Sequence, residues 1–272
     1  MDLRATGTRR DHTGAVDDPS VEPVTAVAVP LAGRALLDQR WRDLTFLHWR
    51  VAPDVGAPLL PRGTRPDVHD GSSWVGLIPF RLTDAGFGRA PAIPYVGSFA
   101  ETNVRLYSVD GEGRRGVVFR SLEAERLAFV LGARWTLGLP YTWARMRIVR
   151  SGDVLSYTSR RRWPGPRGVG TRVVVRVGTL AVTDDPLAQF LTARWALHTR
   201  RLGRTIHLPN THETWPLRTA ELLELDDGLL AAAGLGGVAS RPPDSVLFSP
   251  GVRTQFGAPS RRPSVRRVPP TR

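Results

Sequence analysis

The 272-residue chain contains no cysteine, and all 38 of its cationic Lys/Arg side chains are arginine. The first absence excludes disulfides, thiolate nucleophiles and cysteine-ligated zinc. The second removes every side-chain amine, so no lysine can form a Schiff base with a carbonyl compound. Arginine in place of lysine throughout is most simply a bias toward GC-rich codons. No uninterrupted apolar run approaches the roughly 18 residues that span a bilayer, and the opening MDLRATGTRRDH lacks the apolar region of a signal peptide. The expectation is a soluble cytoplasmic protein with no membrane association.

What is present indicates a globular chain. Hydrophobic residues make up 41%, with eight Trp and nine Phe, enough to bury a core. The net charge of +13 raises the question of nucleic acid. Part of that excess lies in residues 257–272, which carry five Arg and no acid; the rest clusters at Arg160-Arg161-Arg162, Arg200-Arg201 and Arg204. No repeated aromatic–basic alternation or helix-turn-helix spacing accompanies these clusters, so nucleic acid is not expected as the main partner.

In chain order, residues 1–25 read as a disordered polar leader and 257–272 as a disordered basic tail, with a single domain over 26–256. A helix is expected from Val29 to Trp41, where Pro30 suits a first turn, with a strand from Thr45. Ser73–Leu82 reads as a strand in which Pro79 requires an edge or a bulge. The hairpin of residues 99–107 and 116–122 around Asp110-Gly111-Glu112-Gly113 is the clearest local signal. Leu122–Leu137 is expected as a helix stopped by Gly138 and Pro140. Strands follow at 141–148, 154–159 and 171–180, then a helix from Asp185-Pro186 to about Arg200. Further strand patterns cover 205–208 and 213–225, a short helix 227–233, and a closing pair of strands 244–248 and 252–256. Many short strands and few helices predict an antiparallel, β-rich α+β domain, barrel-like in form.

The organising stretch is Ser98–Ser108. As a strand it places Phe99, Glu101, Asn103, Arg105 and Tyr107 on one face and Ala100, Thr102, Val104 and Leu106 on the other. The polar face either meets water, as antiparallel sheets permit, or lines a pocket.

The order of motifs carries a resemblance. Trp41–Trp49, Asp70-Gly71 before Trp74, Val75–Phe80, Glu101–Tyr107, Phe119–Leu122, Ala133-Arg134, Gly138–Tyr141 with Ala144 and Met146, Phe190–Trp195 and His212–Leu217 follow one another in sequence. From about residue 38 to residue 256 the chain resembles the YqjF-like family, a domain of unknown function in the acetoacetate decarboxylase-like superfamily. The resemblance implies a bent antiparallel sheet closing into a β-barrel with an internal pocket and a few flanking helices. It also implies that Glu101 corresponds to the decarboxylase's cavity glutamate. Tyr141 and Thr142 stand where the decarboxylase has its lysines, so decarboxylation by the family's lysine-imine mechanism is excluded, use of the chain's N-terminal amine aside.

The candidate ligand-binding residues are Glu101, Asn103, Arg105, Arg134, Tyr141 and His212, with Glu101 and Tyr141 as candidate acid/base groups. Each has a bland alternative. Glu101 and Arg105 stand four positions apart, roughly 13 Å along an extended strand, too far for a direct bridge, so each has other partners or a ligand. Arg134 and Arg145 are the candidate counter-ions of Glu101. Asn103 is either a structural amide or a ligand group. Tyr141 is a buried aromatic, or a proton donor if arginines lower its pKa, and His48 and His212 are packed histidines or pocket acid/base groups. Ser121 lacks a nucleophile elbow. His207 and His212 lack helical metal spacing, so neither metal nor cofactor is expected. Three functions remain open: binding of a small carboxylate or carbonyl metabolite, a lysine-independent lyase, hydratase or hydrolase, and a basic interaction protein. Homo-oligomerisation is left open.

Overall fold

The computed structural model describes residues 20–88 and 90–259. Within them, strands β1 (Leu37–Val51), β2 (Thr64–Pro66), β3 (Ser73–Phe87), β4 (Phe99–Asp110), β5 (Arg115–Ala124), β6 (Tyr141–Ser151), β7 (Val154–Trp163), β8 (Gly170–Ala181), β9 (Ala196–Arg201), β10 (Arg204–His212), β11 (Arg218–Asp227) and β12 (Ser245–Phe256) form one sheet. Four short helices accompany it: α1 (Pro53–Gly56), α2 (Leu127–Leu137), α3 (Pro186–Thr192) and α4 (Leu229–Ala232). The strand order is β10-β9-β5-β6-β7-β8-β11-β12-β1-β3-β4-β2, and the sheet bends far enough that β4 also pairs with β5 and β10 with β12. No helix among the described residues is long and apolar enough to cross a membrane.

The β4–β5 hairpin forms as read, with Glu101 opposite Ala124 and Val109 opposite Arg115. Both faces of β4 are buried, so its polar face does not meet water. Phe99 and Tyr107 pack into one apolar cluster with Phe46, Ile78, Phe80 and Leu122. Val104 and Leu106 pack into a second with Leu47, Leu77, Tyr157 and Val173. Pro79 sits on an internal strand at an irregularity of the β1–β3 register, between Arg42 opposite Arg81 and Leu47 opposite Leu77. The extra residue in β1 interrupts the ladder where Pro79 has no N–H to give, which is the bulge reading of that proline.

Other expectations are corrected. The helix expected over 29–41 is absent: from Leu37 the chain is strand, paired with β12 on one side and β3 on the other. An imperfect apolar stripe of four residues does not outweigh a ladder on both edges. The helix from Pro186 ends at Thr192, with Asp185 capping the amides of Leu187 and Ala188, and residues 196–201 pair with β10 instead. The helix expected from Leu122 begins at Leu127, since residues up to Ala124 belong to β5. Gly138 ends it at φ 67°, a conformation that favours glycine. The closing pair of strands is one strand, β12, running through Gly251 at φ 128°. A Cβ there would lie 2.0 Å from the Trp41 carbonyl oxygen, so only glycine lets the ladder continue. The sheet is also not purely antiparallel, because β5 runs parallel to β6 and β9.

The expected leader lies outside the described residues up to position 19. From residue 20 the chain is held: Glu22 donates its amide to Gly113 and accepts the Arg115 amide at 3.0 Å, and Val24 packs on the core. The basic tail lies outside the described residues from position 260 onward.

Candidate functional site

Side-chain alternation on β4 is what builds the site. Glu101, Asn103 and Arg105 project from one face into a cavity of about 140 Å³, comparable with engineered cavities of about 150 Å³ that admit benzene. Most of its wall is apolar, supplied by residues such as Phe46, Ile78, Phe80, Phe119, Leu122 and Trp215. A bulge in β5 skips Arg120, so that both Phe119 and Leu122 face inward. Gly76, opposite Arg105, leaves room for it: a Cβ at that position would lie 3.1 Å from the arginine Cγ and 2.7 Å from Ile78 Cδ1.

At one end, Tyr141 donates from Oη to Glu101 Oε2 at 3.2 Å. Burial in apolar surroundings raises the Glu101 pKa to about 8, the Tyr141 bond opposing this only in part. Glu101 is therefore a neutral carboxylic acid at pH 7, able to donate as well as accept. The Tyr141 pKa is well above the usual phenol value, first because of burial and then because of Glu101. Of the two readings of Tyr141, the condition for the proton donor, a pKa lowered by arginines, is not met, and the residue is a buried aromatic. Arg134 is not a counter-ion of Glu101 and does not line the cavity. Its Nη1 donates to the Tyr141 carbonyl at 2.6 Å and its guanidinium lies over Trp163. Arg145 faces a separate outer groove.

At the other end, Arg105 is held by groups other than a carboxylate among the described residues. Its Nε donates to Tyr107 Oη at 3.1 Å and its Nη2 to the Leu191 carbonyl at 2.9 Å. Tyr107 donates to the same carbonyl at 2.9 Å and lies 2.6 Å from His48 Nε2. His48 titrates well below the usual histidine range, first because it is buried and then because Arg105 and Arg194 are near.

Arg194, also in the cavity wall, is tied to Asp67 through Nη1 and to the Phe190 carbonyl at 2.7 Å through Nε. Asp67 binds Arg115 as well. Arg194 Nη2, Trp41 Nε1, Gln39 Oε1 and Asn103 Oδ1 are buried with no hydrogen-bond partner among the described residues, and all four residues line the cavity. Such groups are uncommon in folded proteins and call for a bound partner or water.

His212 lines the cavity too, held by its Nδ1 against the Glu213 carbonyl at 2.7 Å and by the rings of Trp195 and Trp215 at 4.3 and 4.8 Å. Burial lowers its pKa to about 4, so the ring is neutral.

Thus Glu101, Asn103, Arg105, Tyr141 and His212 meet at one cavity, and Arg134 does not. Sequence reasoning did not single out Gln39, Trp41, Arg194 and Asn210. The first two were assigned to a helix and Arg194 to an extended α3. Ser121 is bound to Glu123 and Arg161 away from the cavity. Ser108, His198 and Asp110 imitate a nucleophile triad, with Ser108 Oγ 2.8 Å from His198 Nδ1 and Asp110 3.5 Å from Nε2. Ser108 is fully buried away from the cavity, which leaves the group structural.

The bent sheet around this lysine-free cavity has the acetoacetate decarboxylase-like fold. An acetoacetate decarboxylase-like enzyme from Sphingomonas wittichii RW1 matches with a TM-score of 0.58 at 15% identity, over 86% of this chain and 95% of that one. The enduracididine biosynthesis enzyme MppR, complexed with pyruvate, matches with a TM-score of 0.55 at 16% identity, over 84% and 90%. At these identities the likeness is one of fold. Within that class the chain belongs to the DUF2071 family of uncharacterized conserved proteins, whose profile matches residues 38–253. It is 31% identical over 195 residues to the uncharacterized protein YqjF of Bacillus subtilis (strain 168), covering 72% of this chain and 80% of YqjF.

Proposed function

We propose that the protein binds a small organic carboxylate in this cavity, which the bent sheet encloses as a barrel would, and that it does so without Schiff-base chemistry. The observation that carries the reading is Arg105, a buried cation in the cavity wall that pairs with no acid among the described residues. An uncompensated buried guanidinium is costly, and a carboxylate matching its fork relieves that cost. Asn103 and the neutral Glu101 supply hydrogen bonds to a carbonyl or hydroxyl further along, and the apolar wall takes the ligand's body. The pyruvate complex of a fold relative supports the same class of ligand.

A second reading follows from Glu101 itself. A carboxyl whose pKa is about 8, within reach of a ligand, is poised for proton transfer at neutral pH. A lysine-independent enzyme with Glu101 as general acid is therefore the alternative.

In a thermal-shift screen of keto, hydroxy and aromatic acids near pH 6.5, at least one acid is expected to raise Tm by about 5–10 °C at a hundredfold excess over Kd. Arg105→Ala should abolish that response. Glu101→Gln keeps a neutral donor, so it should retain binding while losing any turnover. A silent screen, or an Arg105→Ala protein that responds like the parent, would falsify the binding reading.

A further inference from the structure

The solvent side of α2 carries no charge at all. Leu127, Ala128, Leu131, Gly132, Trp135 and Thr136 face outward, with Leu131 48% and Trp135 87% exposed. The opposite side, through Phe129, Ala133 and Leu137, already lines the cavity. A helix apolar on both sides is normally covered on both sides, and contiguous exposed apolar surface marks an interaction site.

Arginines border this face. Leu131, Trp135 and Trp163 share a shallow groove with Arg134, whose guanidinium lies 5.5 Å from the Trp163 ring. Trp163 pairs across the strands with Trp143, over which Arg162 lies at 4.8 Å. Next to them Arg145 and Arg160 stand directly opposite each other on β6 and β7, an arrangement that is repulsive unless an anion intervenes. Two strands along the same sheet, Arg172 and Arg176 are neutralised by Glu224 at 2.7 Å and Glu221 at 2.6 Å. By contrast Arg145, Arg160, Arg162 and Arg167 have no ion pair among the described residues. The one acid next to α2 in sequence, Glu125, is taken by Arg126 at 3.4 Å.

We infer that α2 and the adjoining face of β6 and β7 dock on an anionic lipid surface. Such a surface offers both halves of what this face lacks: an acyl boundary for Leu127, Leu131 and Trp135, and headgroup phosphates for the arginines. A second copy packed about a twofold axis would cover the leucines but, presenting the same patch, would bring no acid to the arginines. Single-stranded nucleic acid would use the tryptophans and arginines but leave the two leucines in water.

Vesicle flotation of the full chain tests this. Vesicles of phosphatidylcholine with about 30 mol% phosphatidylglycerol should carry at least ~10-fold more protein than phosphatidylcholine alone. The double variant Leu131→Gln, Trp135→Gln should lower that binding about 10-fold, and so should Arg160→Gln, Arg162→Gln, which leaves the helix intact should the first pair fail to fold. The inference is overturned if the parent does not float with anionic vesicles, or if both double variants float as the parent does. It is equally overturned if α2 substitutions dissociate a dimer, or abolish oligonucleotide binding, in a parent that does not float.

Discussion

Replacing Glu101 with glutamine is expected to stabilise the protein by about 2–4 kcal/mol at pH 8 and to change it little at pH 4.5. The folded carboxyl titrates at about 8 against an ordinary 4.5. Between those values the folded state holds a proton that the unfolded chain has released. Stability from this group is therefore fully present below about pH 4.5 and is lost as pH rises toward 8. Glutamine mimics the protonated acid, still accepts from Tyr141 and cannot ionise, so the loss disappears.

The parent's own profile mixes two signs. Burial lowers His198, His207 and His212 to about 4 and His48 well below 6.5. For these bases the unfolded state binds more protons between about 4 and 6.5, so their contribution is present above 6.5 and lost as pH falls. Melting curves from pH 4.5 to 8.5 should thus show a parent most stable near pH 6–7. The Glu101→Gln difference should grow steadily on the alkaline side. A difference that is flat across pH would mean the carboxyl is already ionised and hydrated in the folded protein.

Asp67→Asn is expected to cost about 3–5 kcal/mol. Asp67 is 2% exposed and bridges Arg115 and Arg194, the latter 4% exposed. Removing its charge leaves the buried Arg194 with no ion pair among the described residues and takes from the half-buried Arg115 its Asp67 partner. Adding Arg194→Met removes one of those charges and should recover part of the loss, a coupling that a double-mutant cycle in urea reads directly. A single-variant loss below about 1 kcal/mol would show that water reaches and screens the cluster.

The parts of the site that lie within one strand were legible. Alternation along Phe99–Tyr107 placed Glu101, Asn103 and Arg105 on one face, and that face lines the cavity. Pro79 announced its bulge, and Gly138 its helix end, because each acts through local backbone chemistry. The errors cluster where long-range pairing outweighs local pattern. Residues 37–41 and 196–200 carry stripes compatible with a helix, yet the first is held by β12, distant in sequence, and the second forms a hairpin with β10 and joins the distant β5 through Leu197 opposite Val117. The first error concealed Gln39 and Trp41, and the second hid that Arg194 lies beyond the end of α3 and faces the cavity.

By itself, the sequence determined which chemistry the side chains cannot perform, since with neither lysine nor cysteine there is no side-chain amine or thiolate to offer a substrate. It also determined that β4 presents a polar row, because side-chain period is a property of the strand. Only the tertiary structure decided what that row does. Burial raises the Glu101 pKa to about 8, and the acids among the described residues leave Arg105 without an ion pair while Arg194 is tied to Asp67. These are consequences of which groups are excluded from water together, and no single stretch of the chain specifies its own surroundings.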